Sequence, residues 1–462
     1  MSTPCFRIKE LTIKTPNNKC ILSKASIDVN YGEIILLIGP SGSGKTSIIK
    51  LLSGILDVSQ DKWHIDGSFE SENNHIDLSK SNTILGGYIF QKFALFDDLS
   101  LEQNILIAKD HGKHEYATFD LSELTKDINL KQKAQLCSEG QKQRVSIIRA
   151  IQSGFPFLLF DEPNSGLDIN LSKQLAVSIK HVVNQTNCPA IIVAHHYETF
   201  LSVCDRLLIL DPKSQNMIEI PEKEITDINK IEELLIKKPV EHPSPLRTDI
   251  KPIKILKKSK PKIKLKWFSI YFYQYMFDLV FSPTVLIYMA ISGILSGFIS
   301  TWFLFQHFPY REFLSPIIHE SSLQKLGFVQ FRILVPLVTS LLLASRNSAI
   351  ISADIGHRVY SEQISAMNNL SIPYHVYISL NIVLTMIIGS IAFFFLNFLL
   401  CAVSSMYTWS YIYPQESITL WKKVYYNQIL STVHMLPYGI SWIFSKMIIS
   451  GFFIGLFSIV LD

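Results

Sequence analysis

Chemistry in this chain starts at GPSGSGKT, positions 39–46, which fits the phosphate-loop pattern G-x-x-x-x-G-K-[ST]. The apolar run IILLI (34–38) precedes it and a helical run follows. Gly39, Gly42 and Gly44 let the backbone curl so that its N–H groups face phosphate oxygens, with Ser41 and Ser47 alongside. Lys45 sets a point charge on those oxygens, and Thr46 supplies a hydroxyl to Mg²⁺. FLLFDEP (157–163) reads as an apolar strand ending in two acids. Asp161 is placed there to hold Mg²⁺ through water, and Glu162 to orient and deprotonate an attacking water. Gln91 follows GGYIF, where its amide can sense the ion and the terminal phosphate. SGLD (165–168), ending in Asp168, comes directly after the acids, and His195 closes AIIVAH as a further phosphate contact.

These side chains need a scaffold, and positions 1–225 supply one. Short β-rich runs alternate with polar or helical stretches, as in an α/β domain. Positions 226–266 read as a linker: an amphipathic helical stretch (226–240), then a run punctuated by Pro243, Pro245, Pro252 and Pro261. Eight lysines and no acid lie between Lys251 and Lys266. The positive-inside rule puts such a juxtamembrane tract in the cytoplasm.

Of 43 Lys/Arg and 39 Asp/Glu in the 462 residues, only 8 and 7 fall in positions 267–462. The expected solvent of that half is lipid. A span needs about 20 apolar residues. Candidates run over 284–305, 327–345 with Arg332, 376–403, and 441–461 with Lys446. WFSIYFYQYMF (267–277), aromatic-rich and followed by Asp278 and Pro283, reads as an interfacial helix. The expected fold is an α/β domain followed by an all-α polytopic membrane domain, one interfacial helix plus about four transmembrane helices. A net charge of only +4 argues against a nucleic-acid partner. The six cysteines lack paired or metal-ligand spacing, as reduced thiols do. MSTPCFRIKE has no apolar h-region, so the first domain is expected in the cytoplasm.

The ordered set from Lys45 to His195 resembles the ATP-binding cassette (ABC) ATPases, with their P-loop α/β fold, across most of positions 1–225. CSEGQKQR (137–144) stands where that family has its LSGGQ-type signature. The resemblance implies ATP and Mg²⁺, and two ATPase domains meeting head to tail. Ser138, Gly140 and Gln141 of one copy would then cover the ATP held by Lys45 and Glu162 of the other. Cys137 replaces Leu and Glu139 replaces Gly, so Glu139 is expected to face away from phosphate and turnover to be reduced. The family also stacks adenine on an aromatic near position 16. None occurs between Arg7 and Asn30, which leaves Phe6 as the substitute.

The second half contains QFRILVPLVTSLLLASRNSAIISADIGHRVYSEQISAMNNLSIP (330–373), which resembles the MlaE-type permeases of bacterial MCE lipid transport systems. Arg332, Pro336, Ala344, Arg346, Ser348, Ala353, Asp354, Gly356, Glu362, Gln363, Ile364 and Ala366 carry the match. The resemblance implies an ATPase–permease fusion at the inner membrane, acting as a homodimer on phospholipid with an MCE-domain partner. A small cytoplasmic regulatory protein is a further partner it suggests. The polar loop around Glu362 and Gln363 is expected to dock as a helix near Gln91. That family continues into one more apolar helix, so the chain, ending at Asp462, reads as one helix short. Two alternatives stay open: a sterol- or drug-type exporter, and a mechanotransmitter driving a periplasmic partner.

Overall fold

The computed structural model describes residues 4–56, 62–71, 74–79, 83–112, 122–220, 262–307, 317–429 and 439–460. The expected linker helix at 226–240 and most of the lysine tract lie outside the described residues. Packing divides the chain into two units, Met1–Lys262 with Arg358–Pro373, and Ile263–His357 with Tyr374–Asp462.

The first unit is built on two sheets. Strands β1 (Pro4–Lys14), β2 (Cys20–Asn30), β4 (His64–Ser71) and β5 (Asn74–Asp77) form an antiparallel sheet in the order β2-β1-β4-β5. The six-stranded sheet runs β10-β9-β3-β8-β7-β6. Its members are β3 (Ile34–Ile38), β6 (Gly87–Ile89), β7 (Leu158–Asp161), β8 (Ala190–Val193), β9 (Arg206–Asp211) and β10 (Asn216–Ile220). β3, β6, β7, β8 and β9 pair in parallel, and β10 is antiparallel to β9. Parallel strands are covered on both faces, which is why IILLI and LLF are uninterrupted apolar runs. Every residue of β3 is buried. A single core joins Ile34, Leu36 and Phe160 to Ile147 and Ile148 of helix Glu139–Gln152 and to Ile179 and Val183 of helix Ile169–Thr186.

The second unit is helical, and among the described residues four of its helical stretches are long and apolar enough to cross a membrane: Leu265–Gln306, Glu320–Tyr360, His375–Ile412 and Ile440–Ile459. The aromatic helix Leu265–Met276 passes through one π-type turn (Phe277–Phe281) before Pro283 starts the helix Pro283–Gln306. Small residues let these helices approach. A Cβ on Gly297 would lie 2.2 Å from the Cys401 carbonyl oxygen of the helix Asn381–Ile412. Hydroxyls and amides pair across helices: buried Thr301 with Ser405 at 2.7 Å, buried Asn397 with Thr339 at 2.9 Å, and half-buried Ser348 with Ser458 at 2.8 Å. In lipid, close packing and such bonds replace the hydrophobic drive available in water.

Candidate nucleotide site

β3 delivers the chain into the loop 39–44, and the helix Lys45–Leu52 leaves it. Gly44 is the N-cap at φ 101°, and a Cβ there would meet Ile21 Cγ2 at 2.1 Å, so no other residue fits. Lys45 is 4 % exposed, and its ammonium donates to the carbonyls of Gly39 (2.8 Å) and Pro40 (2.9 Å), curling over the loop. Burial lowers its pKa, with the Glu162 and Asp161 carboxylates opposing. Ser43 Oγ is buried without a hydrogen-bond partner among the described residues, a donor left for a bound oxyanion. Ser41 and Gly42 stand exposed at the rim, and Ser47 is half-buried in the helix's first turn.

β7 ends at Asp161, whose Oδ1 accepts from the Thr46 hydroxyl at 3.2 Å. Its other oxygen accepts from the Tyr88 hydroxyl. A hydroxyl and a carboxylate side by side, with the Gln91 amide near the next acid, form a hard oxygen set that fits Mg²⁺. Glu162 then turns the chain at φ 47°, a left-handed conformation that a non-glycine residue holds only where its surroundings enforce it. The enforcement is visible. Its N–H donates to Val193 O at 2.8 Å, His195 Nε2 lies 3.1 Å from Oε1, and Gln91 Nε2 lies 3.2 Å from Oε2. Gln91 also donates to Ser165 Oγ at 3.0 Å. Glu162, His195 and Gln91 are thus brought together, and Asp161 with Thr46.

Ser138, Gly140, Gln141 and Asp168 sit elsewhere on the unit. Ser138 is the exposed N-cap of helix Glu139–Gln152, in a reciprocal capping pair with Gln141 (3.1 and 3.4 Å). A Cβ on Gly140 would face open space. Cys137 is buried beside Leu95, Leu101 and Val145, so the apolar job of leucine is kept. Glu139 is exposed, with its carboxylate beside Gly166. Asp168 caps helix Ile169–Thr186 through Leu171 N at 2.9 Å. Phe6 corrects the sequence reading. It is fully buried between Phe69 (4.9 Å) and Phe157 (4.4 Å), so it has no free face for a base.

The segment Arg358–Pro373, inside the MlaE-like stretch, belongs to this first unit. Gln363–Asn369 is helical, with Glu362 as its N-cap. Buried Arg358 pairs with Asp98, and buried Gln363 donates to Asp97 Oδ2 at 2.8 Å. The Lys92 ammonium lies 3.3 Å from the Tyr360 ring centroid, one residue from Gln91. Burial raises the Glu362 carboxyl above its usual range, with Lys50 and Lys92 opposing and Asp161 adding. Tyr88 and Asn369 were missed by sequence reasoning, because a tyrosine in GGYIF and an asparagine in MNNL carry no motif of their own. In the second unit Lys446 Nζ donates to the backbone carbonyl of Arg332 at 3.1 Å, while Arg346 donates to Asn347 Oδ1 at 2.6 Å.

Comparison with known proteins agrees with both halves. Residues 22–165 match the family model for ABC transporters, and residues 288–460 match that of the permease MlaE. A spermidine/putrescine import ATP-binding protein PotA from Legionella pneumophila (strain Paris) is 34 % identical over 217 residues, 46 % of this chain and 58 % of that protein. The Fe(3+) ions import ATP-binding protein FbpC from Fusobacterium nucleatum is 30 % identical over 204 residues, 43 % of this chain and 53 % of that protein. The chain therefore spans little more than half the length of the curated relatives it matches. A solved nucleotide-free ATP-binding cassette from an ABC transporter is 20 % identical, covering 52 % of this chain and all of that one, with a TM-score of 0.41.

Proposed function

Because the chain joins an ABC-type ATPase to an MlaE-type permease, we propose that it uses ATP hydrolysis to move phospholipid between the inner membrane and an MCE-domain partner. The observation that carries this reading is the packing of Arg358–Pro373, part of the permease match, into the unit that holds Gln91 and Asp161. A lipid-moving half and an ATP-splitting half need such a joint if one is to drive the other.

In this reading the loop amides, Lys45 and the Ser43 hydroxyl receive the phosphates. Thr46, Asp161 and Gln91 hold Mg²⁺, which when bound offsets phosphate charge. Glu162, fixed by His195 and Gln91, orients and deprotonates the attacking water. Ser138 and Gly140 lie at an exposed helix N-terminus suited to an anion, so a second copy completes each site and the working form is a homodimer. The ATPase faces the cytoplasm. Arg332 and Lys446, cations within the apolar helices, suit a headgroup phosphate, since intramembrane cations are stabilised by protein, water or phosphate.

The test is reconstitution of the full chain with its Glu162→Gln variant in phospholipid vesicles. ATP-dependent lipid transfer to a soluble acceptor, absent from the variant, supports the reading. ATP hydrolysis that no lipid stimulates and that transfers none would overturn it.

A further inference from the structure

β6 is the outer strand of the six-stranded sheet, so the groups on its free edge need partners that no strand among the described residues supplies. Asn369 supplies them. This side chain is 2 % exposed and belongs to the helix Gln363–Asn369 of the segment Arg358–Pro373. Its Oδ1 accepts from Tyr88 N at 3.1 Å, and its Nδ2 donates to Gly86 O at 3.1 Å. Bonding a carbonyl and the N–H two residues on is how one residue of a parallel strand bonds its neighbour, so one amide stands in for a strand. Nδ2 also donates to Ser53 O at 2.9 Å, at the end of the helix that Lys45 begins.

The residue so held is the one that touches Asp161, the acid at the end of β7. Tyr88 is 4 % exposed, its ring sits edge-on to Phe90 at 4.5 Å, and its hydroxyl donates to Asp161 Oδ2. Asp161 Oδ1 faces the Thr46 hydroxyl at 3.2 Å. An unbroken line of polar contacts thus runs from Asn369 through Tyr88 and Asp161 to Thr46. A carboxylate gripped at one oxygen cannot rotate, and the other oxygen stays turned toward the phosphate loop. Partners of this kind govern how well a ligand group receives its metal.

We propose that Tyr88 and Asn369 are positioning residues through which the packed segment Arg358–Pro373 sets the Mg²⁺ affinity of the nucleotide site. The proposal rests on the ATPase reading above and deepens it. By linkage, Mg²⁺ and nucleotide in turn tighten the packing of the segment by the same factor. Nothing in the permease stretch touches phosphate in this scheme; it acts only by holding a strand edge.

The experiment uses the full chain in detergent micelles. A fluorescent ATP analogue is titrated with and without Mg²⁺ in the Glu162→Gln background, and the Mg²⁺ dependence of hydrolysis is measured in the native background. Tyr88→Phe should raise the Mg²⁺ requirement about tenfold and leave analogue binding in EDTA unchanged. Asn369→Ala should raise it about fivefold, and the double variant no further than Tyr88→Phe alone. An unshifted Mg²⁺ requirement in both single variants overturns the proposal. So does an equal loss of binding in EDTA, which would mean general damage to the phosphate loop, or additive effects in the double variant. Should Tyr88→Phe fail to fold, Asn369→Ala read alone still decides. If the unmodified protein shows no Mg²⁺-dependent hydrolysis, it is the ATPase reading that fails.

Discussion

His195 Nε2 lies 3.1 Å from Glu162 Oε1, and this contact fixes one of two oxygens on a carboxylate that follows the β7 strand directly. The other oxygen receives Gln91 Nε2 at 3.2 Å. Glu162 directly follows β7 and His195 lies two residues past the end of the adjacent parallel strand β8, whose Val193 pairs with Asp161. Gln91 arrives from beyond β6, on the other side of β7. Three consecutive strands of the sheet therefore aim three side chains at one point.

Glu162→Gln keeps the shape and both neighbours but removes the base. ATP turnover should fall about 10²–10⁴-fold, while ATP binding, read by equilibrium titration, stays. Undiminished turnover would remove Glu162 from the role. His195→Ala should lower turnover about a hundredfold if its ring stabilises developing charge, and a loss confined to apparent ATP affinity would assign it to binding alone.

Gly297 tests the membrane half. The place its Cβ would take lies 2.2 Å from a backbone oxygen of the facing helix, and backbone cannot swing aside as a side-chain tip can. Gly297→Ala should destabilise that half by about 1–3 kcal/mol, seen as a lower thermal midpoint in detergent. Ser296→Ala, one residue away, is the comparison that should leave the midpoint within error.

The parts of the fold legible in sequence were those where one physical demand dominates a run of residues. IILLI, FLLF and AIIVA became β3, β7 and β8 because a doubly covered parallel strand admits only apolar side chains. The four helices long and apolar enough to cross a membrane were legible for a similar reason, since lipid tolerates few charges over about 20 residues. The phosphate loop and its acids were readable because their chemistry fixes residue types at fixed spacing. What escaped were single polar residues whose importance depends on a neighbour distant in sequence. Tyr88 matters because Asp161 is beside it, 73 positions later, and Asn369 because β6 has a free edge. Phe6 was misread for the converse reason. An aromatic in roughly the right interval suits a base, but two rings of the core already occupy its faces.

Glu362 carries the last prediction. Burial raises its carboxyl pKa, Asp161 adds to that, and Lys50 and Lys92 pull the other way. For an acid, a raised value means that the packed segment disfavours the ionised form. Packing of 358–373 is then firmest at pH below the ordinary carboxyl range and loosens as pH rises through the raised value. Hydrogen exchange of the segment's amides in the full chain, corrected for intrinsic rates, should show protection falling over that window. Glu362→Gln should flatten the dependence and keep the protection at neutral pH, and an unaltered pH profile in that variant would assign it to another group. Glu362→Lys goes further, because it sets a third cation against Lys50 and Lys92. Lipid moved per ATP hydrolysed should fall several-fold in vesicles while hydrolysis persists, and an unchanged ratio would exclude Glu362 from the joint.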